Sequence, residues 1–285
     1  MKVFTLAISI LTLSGCLAST DFRAPEHRLI DLGADVLPDG TTQLGFGLLG
    51  SGYDNLGLSA IFKRGMPANT ELGTNLAHDL LGIINLDLRM KFVDQEWGRI
   101  GARIGFKWFN PQEILLFQLM DKKPFGERGE INLFMLPITL QSTFPLADWA
   151  DLHINLGYLF QGIQGTVSND FSDVHGGVGA REVFLQPHLS FYAWDMAFIV
   201  GAQLPIWAQG LVSARAETEI QDGVILGVQS TEYQELEVKQ LTTTYVGAEW
   251  RWGSAHVRFM MTYGLRFLTG RIKAPLPSLD VYWRF

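Results

Sequence analysis

Between residues 84 and 108 the chain alternates almost without interruption. Ile84, Leu86, Leu88, Met90 and Phe92 are apolar, and Asn85, Asp87, Arg89 and Lys91 between them are polar or charged. After a polar stretch from Asp94 to Gly98, Ile100, Ala102, Ile104, Phe106 and Trp108 alternate with Arg99, Gly101, Arg103, Gly105 and Lys107. A side-chain period of two defines a β-strand with one greasy face and one wet face. Tilted strands of about nine to eleven residues cover the roughly 25 Å apolar band of a membrane barrel. Half-buried soluble strands seldom keep such length with aromatic residues at separated ends.

The same grammar recurs along the chain. Ile30, Leu32, Ala34 and Val36 alternate with Asp31, Gly33 and Asp35, and Pro38-Asp39-Gly40 signals a turn. Leu44, Phe46 and Leu48 form a second strand, and Leu56, Leu58, Ala60 and Phe62 a third. The stretch from Ile131 to Thr143 breaks phase: Ile131, Leu133 and Met135 read outward, then Ile138 and Leu140 do. A bulge near Pro137, which lacks the ladder donor, would restore register. Alternating runs follow at 152–161, 182–191, 196–204, 244–252 and 256–267. With a last run over Leu279, Val281, Trp283 and Phe285 against Asp280, Tyr282 and Arg284, the expected count is twelve.

A chain ending in an amphipathic strand with a terminal Phe resembles the closing strand of bacterial outer-membrane β-barrels. That resemblance implies outer-membrane lipid around the chain and reading of the Phe285 strand by the barrel-assembly machinery. The expected fold is an all-β, transmembrane, antiparallel up-and-down barrel of about twelve strands, with short periplasmic turns and long outer loops. An even strand number puts both termini on one side, the periplasm. The short connections are then Gly50–Asn55, Asp94–Gly98, Pro145–Asp151, Ala193–Asp195 and Gly253–Ala255. The long ones are Arg64–Asp79, Asn110–Glu130, Ile163–Ala180 and Ala208–Gln240. Trp97, Trp149, Trp194 and Trp252 fall at the short turns, and Trp108 and Trp207 at the opposite ends, where aromatic girdles belong.

Composition agrees. Of 285 residues, 47% are hydrophobic and only 18% are charged, below the roughly 25% of soluble domains. Beyond the N-terminus no run of about 20 apolar residues is present to span as a helix. A net charge of −7 without a basic stripe excludes nucleic acid as a partner.

The front end reads as a targeting segment, residues 1–18, followed by a linker at 19–26 and the barrel at 27–285. Lys2 precedes an apolar core from Val3 to Leu13. Leu13-Ser14-Gly15-Cys16 resembles the lipobox of bacterial lipoproteins, which implies cleavage before Cys16 and a lipid on its sulfur. Ordinary cleavage after Ala18 is the other reading. Residue 17 is Leu, so by the same analogy nothing holds a lipoprotein at the inner membrane. Cys16 is the single cysteine, so the mature chain forms no disulfide.

Two loops carry helix signals. Asn110-Pro111-Gln112-Glu113 combines an N-cap, a Pro at the first helical position and a back-reaching Glu. The following Ile114–Met120 run is too apolar for a free loop, so it folds into the mouth, lies on the outer leaflet or meets a partner. Thr74 to Leu81 is a second short helix. The longest connection reads as a hairpin continuing past the membrane and turning at Asp222-Gly223. Loops 110–130 and 208–240 are the candidate contact sites for an envelope protein partner.

The inward-facing set is rich in cations. Arg89, Lys91, Arg99, Arg103, Lys107, Arg258 and Arg266 are the candidate solute-binding residues, together with Glu249 and His188. Lys63, Arg251, Arg284, Asp31, Asp35, Asp87, Glu182 and Asp280 share the lumen. One reading is a lumen filled by ion pairs, with Arg89 to Lys107 answered by Glu182 or Glu249. The other is a narrow wet path favouring small polar or anionic solutes, as cation rings favour anions elsewhere. Glycines at lumen positions leave space for the second.

Nothing in the sequence asks for a cofactor or metal. Asn169, Asp170 and Asp173 offer loop oxygens without calcium-loop spacing. Barrels of this strand number include outer-membrane lipid hydrolases, but their His-x-Ser motif on a lipid-facing strand is missing here. His78-Asp79 and Ser172-Asp173-Val174-His175 are the only triad fragments in outer loops. The functional expectation is therefore a narrow channel for small polar or anionic solutes. A closed docking barrel is the alternative and an outer-leaflet lipid hydrolase the third.

Overall fold

The computed structural model describes residues 28, 31–48, 58–80, 82–110, 129–168, 172–218, 229–237, 242–264, 266–267, 270–271 and 274–285. β1 (Thr42–Leu48) and β2 (Leu58–Met66) open the wall, and β3 (Thr70–Asn75) leads into a single-turn helix α1 (Leu76–Leu80). β4 (Ile83–Gln95), β5 (Gly98–Phe109), β6 (Gly129–Ala147), β7 (Ala150–Ser168), β8 (Ser172–Ala193) and β9 (Met196–Thr218) follow. β10 (Gln229–Glu237) pairs with the far half of β9. β11 (Thr243–Trp252) and β12 (Ala255–Tyr263) precede a two-residue pair, β13 (Arg266–Phe267) and β14 (Gly270–Arg271), and the chain finishes with β15 (Leu276–Arg284).

Pairing is antiparallel between neighbours from β1 to β9, then β9–β11, β11–β12 and β12–β15. The ring shuts where β15 meets β1, with Gln43 opposite Arg284 and Leu48 opposite Leu279. Twelve strands form the wall, and β10, β13 and β14 stand outside the ring. Among the described residues no helix is long and apolar enough to cross a membrane.

The outer surface is greasy. Phe46 is 64% exposed, Leu86 50% and Val200 45%, and Ile84, Phe92, Ile104, Leu140, Leu156, Val246 and Phe259 share that exposure. A continuous apolar belt of this kind is lipid-facing, since monomeric soluble surfaces do not carry one. Exposed Trp97, Trp149, Trp194 and Trp252 mark the end with tight turns, which is also where Thr42 and Phe285 hydrogen-bond to each other. The inward face is polar, with buried Gln43, Glu71, Arg89, Asn155, His188, Glu249 and Arg258.

Two expectations about strands fail, and their errors cancel in the count. Residues 30–36 are not a strand: the described part, 31–36, is turn and coil inside the ring. Conversely, 70–75 fell within the expected long loop Arg64–Asp79 but is the wall strand β3, paired to both β2 and β4. The sequence Thr-Glu-Leu-Gly-Thr-Asn carries only Leu72 on its lipid side, so its period is faint. The 31–36 stretch alternates well because Leu32 and Ala34 meet a lumen and not a bilayer.

Other corrections follow from register. No bulge occurs at Pro137, which pairs in phase with Leu159; the irregularity of β6 lies between Pro145 and Ala147. Ile131, Leu133 and Met135 therefore share the inward side with Thr139 and Gln141. The Pro137 ring takes the room that a Cβ on Gly105 would need, 2.7 Å away. The connection from β1 to β2, expected as a tight turn at Gly50–Asn55, falls at the end opposite the tight turns, and a turn at 67–69, inside the expected long loop Arg64–Asp79, stands among them instead. The expected loop Ile163–Ala180 is largely ladder, since β7 and β8 pair out to Ser168 and Asp173. The hairpin beyond the membrane is present as β9 and β10, its tip lying outside the described residues, as does the Ile114–Met120 run. The short helix expected at 74–81 is α1.

Candidate functional site in the barrel lumen

Twelve strands enclose more space than their own side chains fill. Here residues 31–41 occupy the end nearest the tight turns. Leu37 and Ala34 are buried, and Gly65 lacks a Cβ where the carbonyl of Pro38 approaches. At Gly33 an added Cβ would meet Thr143 Oγ1 at 2.0 Å and His153 Nδ1 at 2.4 Å, so only glycine fits.

Wall side chains satisfy this segment's backbone. The Leu32 carbonyl accepts from Asn155 Nδ2 at 3.1 Å and contacts His188 Nε2 at 2.5 Å. The Gly33 carbonyl accepts from Arg89 at 2.6 Å. The Ala34 amide donates to Thr143 Oγ1 at 3.0 Å, and the Leu37 amide to Glu71 Oε2 at 2.9 Å. An irregular backbone within a membrane protein is tolerated only where its polar groups are met in this way.

Charge pairing does the rest. Asp31 bonds to Lys63 and lies 3.7 Å from Arg89 and 3.5 Å from Arg258. Asp35 holds Arg99 at 2.8 Å and faces Lys91 at 3.9 Å. Arg28 reaches Asp151 at 2.8 Å, which also takes Arg99 at 3.4 Å. Several carboxylates other than Glu182 and Glu249 answer the cation-rich β4 and β5. They come from the inner segment, from Glu71 on the unexpected strand β3, from Asp151 at the start of β7, and from Asp87.

The predicted residues divide into groups. Arg89, Lys91 and Arg99 bind the inner segment, Lys91 also holding Asp94 at 2.5 Å. Arg258 and Glu249 pair at 2.7 Å within a second buried cluster, where His256 meets Glu249 at 2.9 Å and Tyr282 donates to the same carboxylate. His188 contacts Tyr245 Oη at 2.8 Å as well as Leu32. Arg103, bonded to Asp87 at 2.8 and 3.0 Å, and Lys107 line the space above the inner segment. Arg266 belongs to β13, paired only with β14 and not part of the wall, because the alternation of β12 stops at Tyr263.

That space is a cavity of about 240 Å³ with Asp31 and Leu32 in its floor. Its wall also includes Gln186, Gln203, Tyr245 and Thr262, inward by alternation but not among the candidate solute-binding residues, and Leu159 and Phe184, which the alternation did not mark as inward. Leu159 and Phe184 sit at inward positions of β7 and β8, and their apolar character hid them among lipid-facing neighbours. Register alone could have found them, since they keep phase with Asn155 and His188.

Of the hydrolase fragments, His78, Asp79 and His175 are described with their contacts. Both carboxylate oxygens of Asp79 are committed, to Thr74 Oγ1 at 2.8 Å and Asn85 Nδ2 at 2.8 Å. Burial and nearby Lys107 lower the pKa of His78, against the opposing pull of Asp79, so its imidazole is neutral at pH 7. His175 Nδ1 contacts Thr166 Oγ1 at 3.0 Å. The side chains of Ser172 and Asp173, and residues Asn169 and Asp170, lie outside the described set.

The fold and its interior define a class: a closed twelve-strand membrane barrel with an inward-folded N-terminal segment. No family model and no curated protein matches the chain. Among solved structures it is similar to the unliganded ferric citrate transporter FecA, at 12% identity and TM-score 0.37, over 87% of this chain and 43% of that one. It is similar to CdiB from Escherichia coli at 9% identity and TM-score 0.33, over 88% of this chain and 64% of that one. The Pseudomonas putida toluene transporter TodX matches at 9% identity and TM-score 0.31, over 95% of this chain and 94% of that one. The chain spans less than two thirds of the length of the first two. Superpositions this loose say nothing about what passes through the barrel.

Proposed function

We propose that the protein is an outer-membrane barrel forming a narrow, gated path for small polar solutes, with residues 31–41 as the gate. The observation that carries this reading is the cavity of about 240 Å³ standing directly on a segment whose Leu32–Leu37 part is held by wall side chains, with backbone bonds to β2 only at Gly40 and Thr41. Ion pairs in a wet tube release and re-form without unfolding the wall, because β1 to β15 close independently of residues 31–41. The greasy belt, the tryptophan girdle and the division into tight turns and longer outer connections support an outer membrane, with the tight-turn end periplasmic. An anion preference finds less support, since Arg89, Arg99, Arg103 and Arg258 each already face a carboxylate.

Planar-bilayer conductance tests it. The native chain should open rarely, and Asp31→Asn with Asp35→Asn should give sustained current, because Lys63, Arg89, Arg258, Lys91 and Arg99 then repel one another and lose the two carboxylates that tie them to the segment. Silence in both would favour a closed docking barrel. Lipid on Cys16 is a separate proposal; radiolabelled lipid retained by Cys16→Ser would refute it.

A further inference from the structure

Two histidines share in holding the inner segment. His153 on β7 and His188 on β8 stand directly opposite each other in the ladder, with ring centroids 4.9 Å apart, and both side chains are buried. The Leu32 carbonyl only accepts, so His188 Nε2 carries the hydrogen it receives, while Nδ1 meets Tyr245 Oη at 2.8 Å. The Ala34 amide donates to Thr143 Oγ1, and that same hydroxyl meets His153 Nδ1 at 3.0 Å. His153 Nε2 lies 3.3 Å from Ser190 Oγ, and Gly33 packs against the ring so closely that no Cβ fits. Residues 32, 33 and 34 thus all touch the pair, directly or through one hydroxyl.

The surroundings suit two neutral rings and not two charged ones. Arg28 and Arg99 on β5 act on His153 as neighbouring positive charges, and Arg89 on β4 grips the Gly33 carbonyl. Asp151, two residues along β7, is committed to Arg28, Arg99 and Tyr192. Asp35 is committed to Arg99, and Asp31 to Lys63. β6, β7, β8 and β11 present Thr143, Asn155, Ser190 and Tyr245, and β9 presents Gly201 against His188; none carries a negative charge. Among the described residues no carboxylate forms an ion pair with either ring. Two imidazolium rings at this separation, without a counter-charge, repel. Once residues 31–37 leave, the rings meet water, where imidazole takes up a proton below about pH 6.5. The state that binds more protons gains population as pH falls, by up to about tenfold per pH unit for each ring.

We propose that the His153–His188 pair is an acid-sensing latch, in which proton uptake by the two rings unseats residues 31–37 from the lumen wall. The latch rests on the reading of residues 31–41 as a gate and names the signal that opens it.

The test uses the full detergent-purified chain in a Cys16→Ser background. A Leu37→Cys thiol is labelled by a water-soluble maleimide, and its rate is divided by that of Glu96→Cys at an exposed tight turn, which cancels the pH dependence of the thiol itself. Between about pH 7.5 and about pH 5 the ratio should rise at least about tenfold. His153→Gln with His188→Gln puts neutral amides in place of the rings and should hold the rise below about twofold. An undiminished rise in that variant, or a flat ratio in the native background, would overturn the latch. Should the glutamine variant already label at neutral pH, carbon shifts of labelled histidine in the native chain decide. Two rings that protonate over the span of the labelling rise support the latch, and rings that stay neutral through it remove it. Bilayer current separates the two levels. A flat ratio beside sustained current in the Asp31→Asn, Asp35→Asn variant removes the latch alone, whereas an acid rise in labelling with no current from any variant removes the path and leaves the latch standing.

Discussion

The Arg89 guanidinium, 2% exposed on β4, donates to the carbonyl oxygen of Gly33 at 2.6 Å. A wall cation thus grips the backbone of a segment 56 residues earlier in the chain, while also facing Glu71 at 3.5 Å and Gln141 at 3.3 Å. Replacing it by methionine keeps the volume and deletes the grip. Removing one partner of a buried charge pair costs about 3–5 kcal/mol. The loss of the Gly33 contact falls on residues 31–37, while in the wall Glu71 keeps Lys63 at 3.6 Å. A cysteine introduced at Leu37 should change from inert to reactive toward a water-soluble maleimide in the Arg89→Met background, while the barrel keeps its gel mobility.

Gly33→Ala should expel the same segment by sterics alone, since its Cβ would overlap both Thr143 and His153. Gly40→Ala is the control. Gly40 has φ of 78° and open space around its missing Cβ, so alanine there costs only the left-handed penalty of about 1–2 kcal/mol. Hydrogen exchange at Ala34 and Leu37, whose amides bond to Thr143 and Glu71, reads the difference. Equal protection in both variants would show that the close contact at Gly33 is not a constraint.

Val200 lies on the lipid side of β9, opposite Val246 and Leu189. Val200→Arg should lower folding stability in lipid vesicles by about 2–4 kcal/mol, the range for a cation near the bilayer midplane. Trp194→Arg, at the turn between β8 and β9, should cost no more than about 1 kcal/mol from the charge. Urea titrations in the same vesicles make the comparison, and equal losses would mean the belt does not face hydrocarbon.

Glu249→Gln should destabilise the wall itself. Its carboxylate holds Arg258 at 2.7 Å and His256 at 2.9 Å, and Tyr282 donates to it. The expected loss is up to about 3–5 kcal/mol, because a buried guanidinium loses the nearer of its two carboxylates and keeps only Asp31 at 3.5 Å. Adding Arg258→Met should recover part of it, a coupling of at least about 1 kcal/mol between contacting residues. Additive losses in the double-mutant cycle would place the stabilisation elsewhere.

Most of the wall was legible in the sequence because lipid imposes a one-sided test on every second residue. Ile84–Phe92, Ile100–Trp108 and Leu279–Phe285 pass it in sequence and in structure alike. The test misleads at 31–36, where alternation serves a lumen contact, and at 70–75, where a short strand presents almost no apolar face. Inward residues were recognised when charged, as with Arg89 and Arg258, and missed when apolar, as with Leu159 and Phe184. Pro137 was credited with a bulge because its neighbours changed phase, when the ladder simply carries apolar residues inward there.

Strand character, the lipid-facing side and the charge of the lumen were all written into local sequence, since each depends on a residue and its neighbours two positions away. Which carboxylate answers which cation was not. Asp31 meets Lys63, Arg89 and Arg258, and Asp35 meets Arg99, only because the ring closes around a returning segment. That closure brings together residues separated by tens to hundreds of positions, and pairing at such range is decided by register and barrel curvature, which no local pattern encodes.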